Sequence, residues 1–462
     1  MMSDEIWQQS ASDLAAAIRS GALSSREVVE AHLARIEAVN DRLNAVTVVL
    51  ADSALAAADE ADRSEARGPL HGVPFTIKEN IDCVGSATTQ GLPVLENAMP
   101  TIDAPVVARM KAAGAIPLAR TNLPEMGLRI TTDNPLRGRT LNPWNAERTA
   151  GGSSGGEGSA LASGMSPIGL GNDIGGSLRN PAFCCGITSL KPSAGRIPHA
   201  SCLPPLDGGL AFQVMCVEGP MARHVKDLRL AYGILSGRDA RDPVSVDAPL
   251  EGAPAPKKAA LVTEIPGGSL ADSARAAVQE AGRALESAGW EVTQAQPPEL
   301  ERVTELWSFI MSMDFQPLLT QLAPVMSDRL VEALQSTLGE LQPAPSQLPE
   351  IHAERNRLSR AWSEFFHEHP VVVGPTWTDV QFLHDADLEM PDGMQVVMER
   401  VRFITPGNVL GLPSVAVPTG VQEGLPTGVQ VYAEKWREDL ALGGAEVIET
   451  ALGQICPIDP LF

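Results

Sequence analysis

The stretch AGGSSGGEGSALASGMSPIGLGNDIGGSLRNP, running from Ala150 to Pro181, decides how the rest of the chain is read. Ten glycines fall between Gly151 and Gly176, yet Ala160, Leu161, Met165, Ile168, Leu170 and Ile174 interrupt them. Their spacing suits a short helix followed by a strand. A flexible Gly/Ser linker has no use for buried-type residues. Glycine in ordered structure serves positive φ or close approach of backbone. The two Gly-Gly-Ser groups, Gly151-Gly152-Ser153 and Gly175-Gly176-Ser177, therefore suggest backbone N–H groups gathered round a reacting atom.

Working outward, the flanks alternate helix and strand, the rhythm of a layered α/β fold. Ser12 is expected to cap a helix over 13–20, and Ser24 with Glu27 forms a capping-box pattern for a helix reaching Ala38. His32 lies on that helix's apolar face as a packed core residue. A strand is expected over 45–50, a helix over 51–67, a helix over 103–113 and a strand over 115–119. Gly72-Val-Pro-Phe-Thr-Ile-Lys78-Glu-Asn80 is a β-rich run that ends in a charge. Alone, Lys78 reads as a surface lysine. Val73, Phe75, Ile77, Ile81 and Val84 nevertheless make its neighbourhood dry, and a dry lysine loses its proton readily.

The turn-rich segment 121–144 either lines a pocket or makes an ordinary surface connection. Cys184 and Cys185 read as small buried residues. Residues 247–258 resemble an exposed linker. Residues 300–366 are mainly helical, with a break at 342–349, and Trp307 to Phe315 either roof a pocket or pack in the core. Buried strands are expected over 371–375, 414–418 and 428–432, with a closing helix over 438–452.

The chain has 462 residues, with 35 Lys+Arg against 57 Asp+Glu, a net charge of −22. That balance disfavours nucleic acid and anionic membrane surfaces, which need basic patches. Six cysteines without a C-x-x-C pair disfavour a disulfide scaffold or a zinc site and fit a reducing cytosol. No apolar leader segment and no 18-residue apolar run is seen, so a cytoplasmic protein is expected.

P-loop, dinucleotide and zinc-protease motifs are absent. Gly151-x-Ser153-x-Gly155 and Gly152-x-Ser154-x-Gly156 match a nucleophile elbow, but Asn142 to Thr149 is not the strand such an elbow requires. Ser177 is the better nucleophile candidate, because the glycines before it let several amides face one oxyanion. A serine needs a base. With no histidine near these motifs, Lys78 is the candidate.

Gly151 to Gly158, Asp173-Ile-Gly-Gly-Ser-Leu-Arg179 and Cys185-Gly-Ile-Thr-Ser-Leu-Lys-Pro192 resemble the signature block of the amidase signature family of serine hydrolases. Gly72 to Asn80, Thr121 to Glu125, Gly219-Pro-Met-Ala-Arg223 and Leu425 to Gln430 agree with it. The resemblance runs from about Ser12 to the C-terminus and is weakest between Asp247 and Pro370. It implies one α/β/α domain spanning 1–462 on a mixed, mostly parallel twisted sheet. The less family-like part, 253–366, would be a partly helical cover over the active site.

The resemblance also implies a Ser–Ser–Lys triad: Ser177 as nucleophile, Ser153 after a cis Gly152–Ser153 peptide as the bridging serine, and Lys78 as base. The oxyanion hole would be the amides of Ile174, Gly175, Gly176 and Ser177, with neither metal nor cofactor. To act as a base, Lys78 must fall from about 10.4 toward neutrality, a bias of about 4 kcal/mol against the ammonium. Asp173 and Arg179 are expected behind the nucleophile, as hydrogen-bonding supports or a structural ion pair, and Ser154 is expected to bond backbone locally. Met126, Gly127, Leu128, Trp307 and Trp377 are the substrate-binding candidates.

The implied activity is hydrolysis of the C–N bond of small aryl or alkyl carboxamides through an acyl-enzyme. Carbamates and aryl esters are further substrates of the same chemistry, and the small-molecule substrate is the expected partner of a monomer or homodimer. The alternatives are the glutaminase-type subunit of a tRNA-dependent amidotransferase and a catalytically silent binding protein.

Overall fold

The computed structural model describes residues 3–203, 208–340, 344–389 and 392–462. Met1, Met2 and the start of the expected break at 342–349 lie outside the described residues. Among the described residues, eleven strands form one sheet. One flank runs Val46–Val49, Ile116–Thr121, Pro74–Lys78 and Ile168–Asp173. The middle continues with Val217–Ala222, Thr188–Lys191, Ser414–Gln422 and Leu425–Ala433, and the far flank with Val371–Pro375, Lys258–Leu261 and Glu291–Gln294.

The sheet is mixed, as expected, but its parallel pairings are confined to the two flanks. Ile116–Thr121, Pro74–Lys78 and Ile168–Asp173 run parallel on one side, and Val371–Pro375, Lys258–Leu261 and Glu291–Gln294 on the other. The middle pairs antiparallel, which corrects the expectation of mostly parallel strands. Part of the cause is local. Gln422 pairs with Leu425, leaving Glu423 and Gly424 as a two-residue turn with φ of 52° and 76°. Two positive φ values suit the tight hairpin turn, which reverses the chain where a crossover helix would have kept it parallel.

Helices cover both faces. Val371 and Val373 pack with the helices Asp272–Ser287 and Glu438–Leu452, while Val372 joins Leu300–Leu322 and Leu348–Glu368 on the opposite side. Such a strand has no wet face and reads as an unbroken apolar run. The Ser24–Glu27 capping box is present, and its helix extends over Ser25–Leu43. The preceding helix, Ala11–Arg19, is capped by Ser10 instead of Ser12, whose hydroxyl donates to Asp227 at 2.5 Å. His32 is a buried core residue with Nδ1 2.8 Å from the Val28 carbonyl. Cys184 and Cys185 are buried, and burial pushes both thiols up.

What positions the site is the pair of parallel strands Pro74–Lys78 and Ile168–Asp173, in register at Ile77 and Leu170. Both end at the same sheet edge, where parallel strands of α/β folds present functional groups beyond their carboxyl ends.

Candidate active site

Lys78 is the last residue of its strand and is fully buried. Its Nζ donates to Ser153 Oγ at 2.6 Å and to Asn172 Oδ1 at 2.7 Å. Burial lowers the amine from 10.5 to about 7, against the opposing pull of Glu218, Cys216, Asp173 and Glu157. No carboxylate touches it among the described residues. The dry lysine anticipated from Val73, Phe75 and Ile77 therefore exists, with two neutral oxygens as partners.

Ser153 follows a cis Gly152–Ser153 peptide. Gly151, at φ 81°, carries the chain into this turn, where a Cβ would stand 2.7 Å from the Pro181 Cα. The second turn, Ile174 to Ser177, leaves the strand Ile168–Asp173 and contains Gly176 at φ 102°. Asn180 joins the two turns: its Nδ2 donates to the Gly152 carbonyl at 3.1 Å and to the Gly175 carbonyl at 3.4 Å. Gly152 and Ser177 thereby line the same cavity. No hydrogen bond joins Ser153 to Ser177, and the Ser177 hydroxyl has no protein acceptor among the described residues.

Asp173 and Arg179 play both roles left open for them. They form a buried two-pronged pair, Nε to Oδ2 and Nη2 to Oδ1, each at 3.0 Å. Burial pushes the Asp173 carboxyl up, but the Arg179 guanidinium outweighs it and holds the acid below the usual carboxylate range. The same carboxylate accepts the Gly176 amide at 2.8 Å and the Leu178 amide at 3.2 Å, bracing the second turn. That contact corrects one expectation. The Gly176 N–H faces Asp173 and is not free for an oxyanion, whereas no protein acceptor takes the Ile174, Gly175 or Ser177 amides among the described residues.

Ser154 is a second correction. Its hydroxyl is buried without a partner, because it points at Gly171, where a Cβ would stand 2.9 Å away, and not at its own backbone.

The cavity encloses about 140 Å³ and is walled by Leu128, Ile130, Trp307, Met311, Phe315 and Val401. Gly127, Leu128 and Trp307 line this cavity. Met126 and Trp377 do not. Met126, at φ 53°, packs among Leu92, Leu319 and Met326. Trp377 is fully buried between Phe183 and Phe382, with its indole N–H held by Asn180 Oδ1 at 2.8 Å. Its role is to steady the asparagine that joins the two glycine turns. Of the alternatives for 121–144, pocket lining holds at Gly127 to Ile130.

Arg129 also borders the cavity, but Asp387 binds its Nε at 2.8 Å and Asp385 its Nη2 at 2.6 Å. Its charge is therefore matched inside the protein. Ser312 contributes a buried hydroxyl without a partner, while Ser308 one turn earlier bonds back to the Thr304 carbonyl.

Three site residues escaped the sequence reading. Asn172 accepts a hydrogen bond from the Lys78 amine alongside Ser153. Its register partner Glu218 is buried with Oε2 unpartnered, and burial raises that carboxyl to about 8. Glu157 is raised to about 7 by burial, and its carboxylate accepts from Thr121 Oγ1 at 2.6 Å and from Thr76 Oγ1. The available signal was an Asn and a Glu inside the Gly/Ser block itself.

The sequence model of the Amidase family matches residues 27–442. An indoleacetamide hydrolase of Bradyrhizobium diazoefficiens is 43% identical over 459 residues, covering 97% of this chain and 87% of its own. An acylamidase of Rhodococcus erythropolis is 32% identical over 462 residues, covering 95% of this chain and 94% of its own. The solved structure of a 6-aminohexanoate cyclic dimer hydrolase with its substrate superposes with a TM-score of 0.86 at 28% identity, covering 99% of both chains. With its glycine-serine block folded round a buried lysine and its length matched almost throughout, this chain belongs to the amidase signature family of amide hydrolases.

Proposed function

We propose that the chain hydrolyses the C–N bond of small, uncharged carboxamides bearing an aryl or apolar alkyl acyl group, through an acyl-enzyme on Ser177. The observation that carries this reading is the 2.6 Å contact between a fully buried Lys78 amine and the Ser153 hydroxyl. An amine that burial lowers to about 7 is able to accept a proton near neutral pH.

Ser177 Oγ attacks the amide carbon. Its proton passes to Ser153, whose own proton passes to Lys78. The amides of Gly175 and Ser177 stabilise the oxyanion. Collapse returns a proton through Ser153 to the leaving nitrogen, and the amine departs. Water then attacks the acyl-enzyme by the same relay and releases the acid. Carbamates and aryl esters enter the same cycle.

The acyl group lies against Leu128, Met311, Phe315 and Val401. Arg129, the one cation lining the cavity among the described residues, is already paired, which favours neutral substrates. The relative named for indoleacetamide supports an arylacetamide as the first compound to test. Residues 1–462 act as one unit, and six unpaired cysteines fit a reducing cytoplasm.

The test is a hydrolysis panel of alkyl amides, arylacetamides, carbamates and aryl esters with the purified chain alone. Intact-mass measurement in single turnover should show an acyl adduct on the Ser177 peptide. Turnover surviving Ser177→Ala would reject the nucleophile. A chain inert without partner subunits would favour the amidotransferase-type role.

A further inference from the structure

Trp307 stands in the helix Leu300–Leu322 and reaches across to the turn from Ile174 to Ser177. Its indole Nε1 donates to the Ile174 carbonyl at 3.0 Å. Its ring lies over Gly175, where a Cβ would stand 2.8 Å from Cζ2. The side chain therefore grips one peptide unit, Ile174–Gly175, by a hydrogen bond and by contact.

That peptide is trans, and a trans unit points its C=O and N–H in opposite directions within one rigid plane. Fixing the Ile174 oxygen toward the indole turns the Gly175 N–H the other way. No protein acceptor takes that N–H among the described residues, and Gly175 lines the cavity beside Ser177. Gly176 makes the orientation matter more, since Asp173 already holds its amide. The second turn is thus pinned at both ends, at Gly176 by Asp173 and at Ile174 by Trp307.

We infer that Trp307 is a positioning residue for the oxyanion-binding turn, its indole N–H holding the Ile174 carbonyl so that the Gly175 amide faces the reacting oxygen. The inference rests on the Ser177 acyl-enzyme reading. It also joins specificity to rate. Met311 and Phe315, which wall the acyl site, ride on the same helix as Trp307. An acyl group that seats well against them braces the indole, and with it the turn.

Trp307→Phe keeps an aromatic wall and removes the donor. The expected result is a fall in kcat of about tenfold, short of the roughly 10²–10³ that accompanies outright loss of an oxyanion donor. KM should stay within about twofold, since a misaimed amide affects the transition state more than the bound amide. Affinity for an aldehyde analogue of the acyl group, which binds as a tetrahedral adduct, should fall by the same factor as kcat, and affinity for the product acid should not. Gly175→Ala pushes the indole off the turn by another route. Combined with Trp307→Phe it should cost less than the sum of the two, because both act on one contact.

A wild-type kcat in Trp307→Phe, a rise in KM alone, or full additivity with Gly175→Ala would reduce Trp307 to a pocket wall and overturn the inference. Ser177→Ala separates this failure from that of the underlying reading. If Ser177→Ala still turns over, the acyl-enzyme is wrong. If it is inert and Trp307→Phe is normal, only the positioning role is wrong.

Discussion

Replacing Lys78 with methionine removes a buried amine while keeping an unbranched chain, so its effect on stability should vary with pH. Burial lowers the folded amine from 10.5 to about 7. That difference corresponds to about 5 kcal/mol of bias against the ammonium. Below the folded value, folded and unfolded chains both hold the proton and stability does not change. Between about 7 and 10.5 the unfolded chain holds more protons than the folded one, so wild-type stability rises with pH. From about pH 6 to about pH 9 the gain is about 2.5 kcal/mol, and methionine has no counterpart to it. For a chain this long the gain amounts to about 2–3 °C in Tm. Glu157 and Glu218 titrate in both proteins and cancel to first order, so the difference reads Lys78 together with its coupling to them. Thermal unfolding of both proteins by circular dichroism, across that range in matched buffers, is the assay. The advantage of Lys78→Met should be largest at low pH and shrink as pH rises. A difference that stays flat would mean that the folded lysine keeps an ordinary proton affinity, and the proposed base would be lost with it.

Glu218→Gln should move the acid limb of the kcat/KM profile to lower pH. A carboxylate at 218 favours the Lys78 ammonium and an amide does not, so an unmoved limb would uncouple the two groups. Arg129→Met should destabilise by about 3–5 kcal/mol, because it leaves the buried Asp387 carboxylate unpaired. A denaturation midpoint within error of wild type would contradict that pairing. Ser312→Ala removes a hydroxyl that has no partner and should leave stability unchanged or raise it by up to about 1 kcal/mol. It should not raise KM for purely apolar acyl groups, and a raised KM would show that the hydroxyl is used.

Much of the scaffold was legible because it depends on local rules. The Ser24–Glu27 capping box acts within one turn of helix, and it formed where the spacing placed it. Unbroken apolar runs such as Val371 to Val373 announced strands buried on both faces. The capping serine was misjudged by two residues, since Ser10 and Ser12 are chemically equal in sequence and only Asp227, 215 residues away, takes Ser12 out of the cap. The hairpin at Glu423–Gly424 was missed for want of the Asn-Gly or Asp-Gly pair that usually marks such a turn.

By itself, the sequence determined an ordered glycine-serine block and a lysine set among apolar residues, because residue type and apolar context decide that much without a partner. Only the tertiary structure decided which atoms meet. Asn172 holds the amine, Asp173 takes Gly176 away from the oxyanion, Trp377 retreats behind Asn180, and Trp307 comes down on Gly175. Apart from the Asp173–Gly176 contact, which lies within one turn, each of these joins segments far apart in the chain. A donor's direction, unlike its identity, is a property of packing.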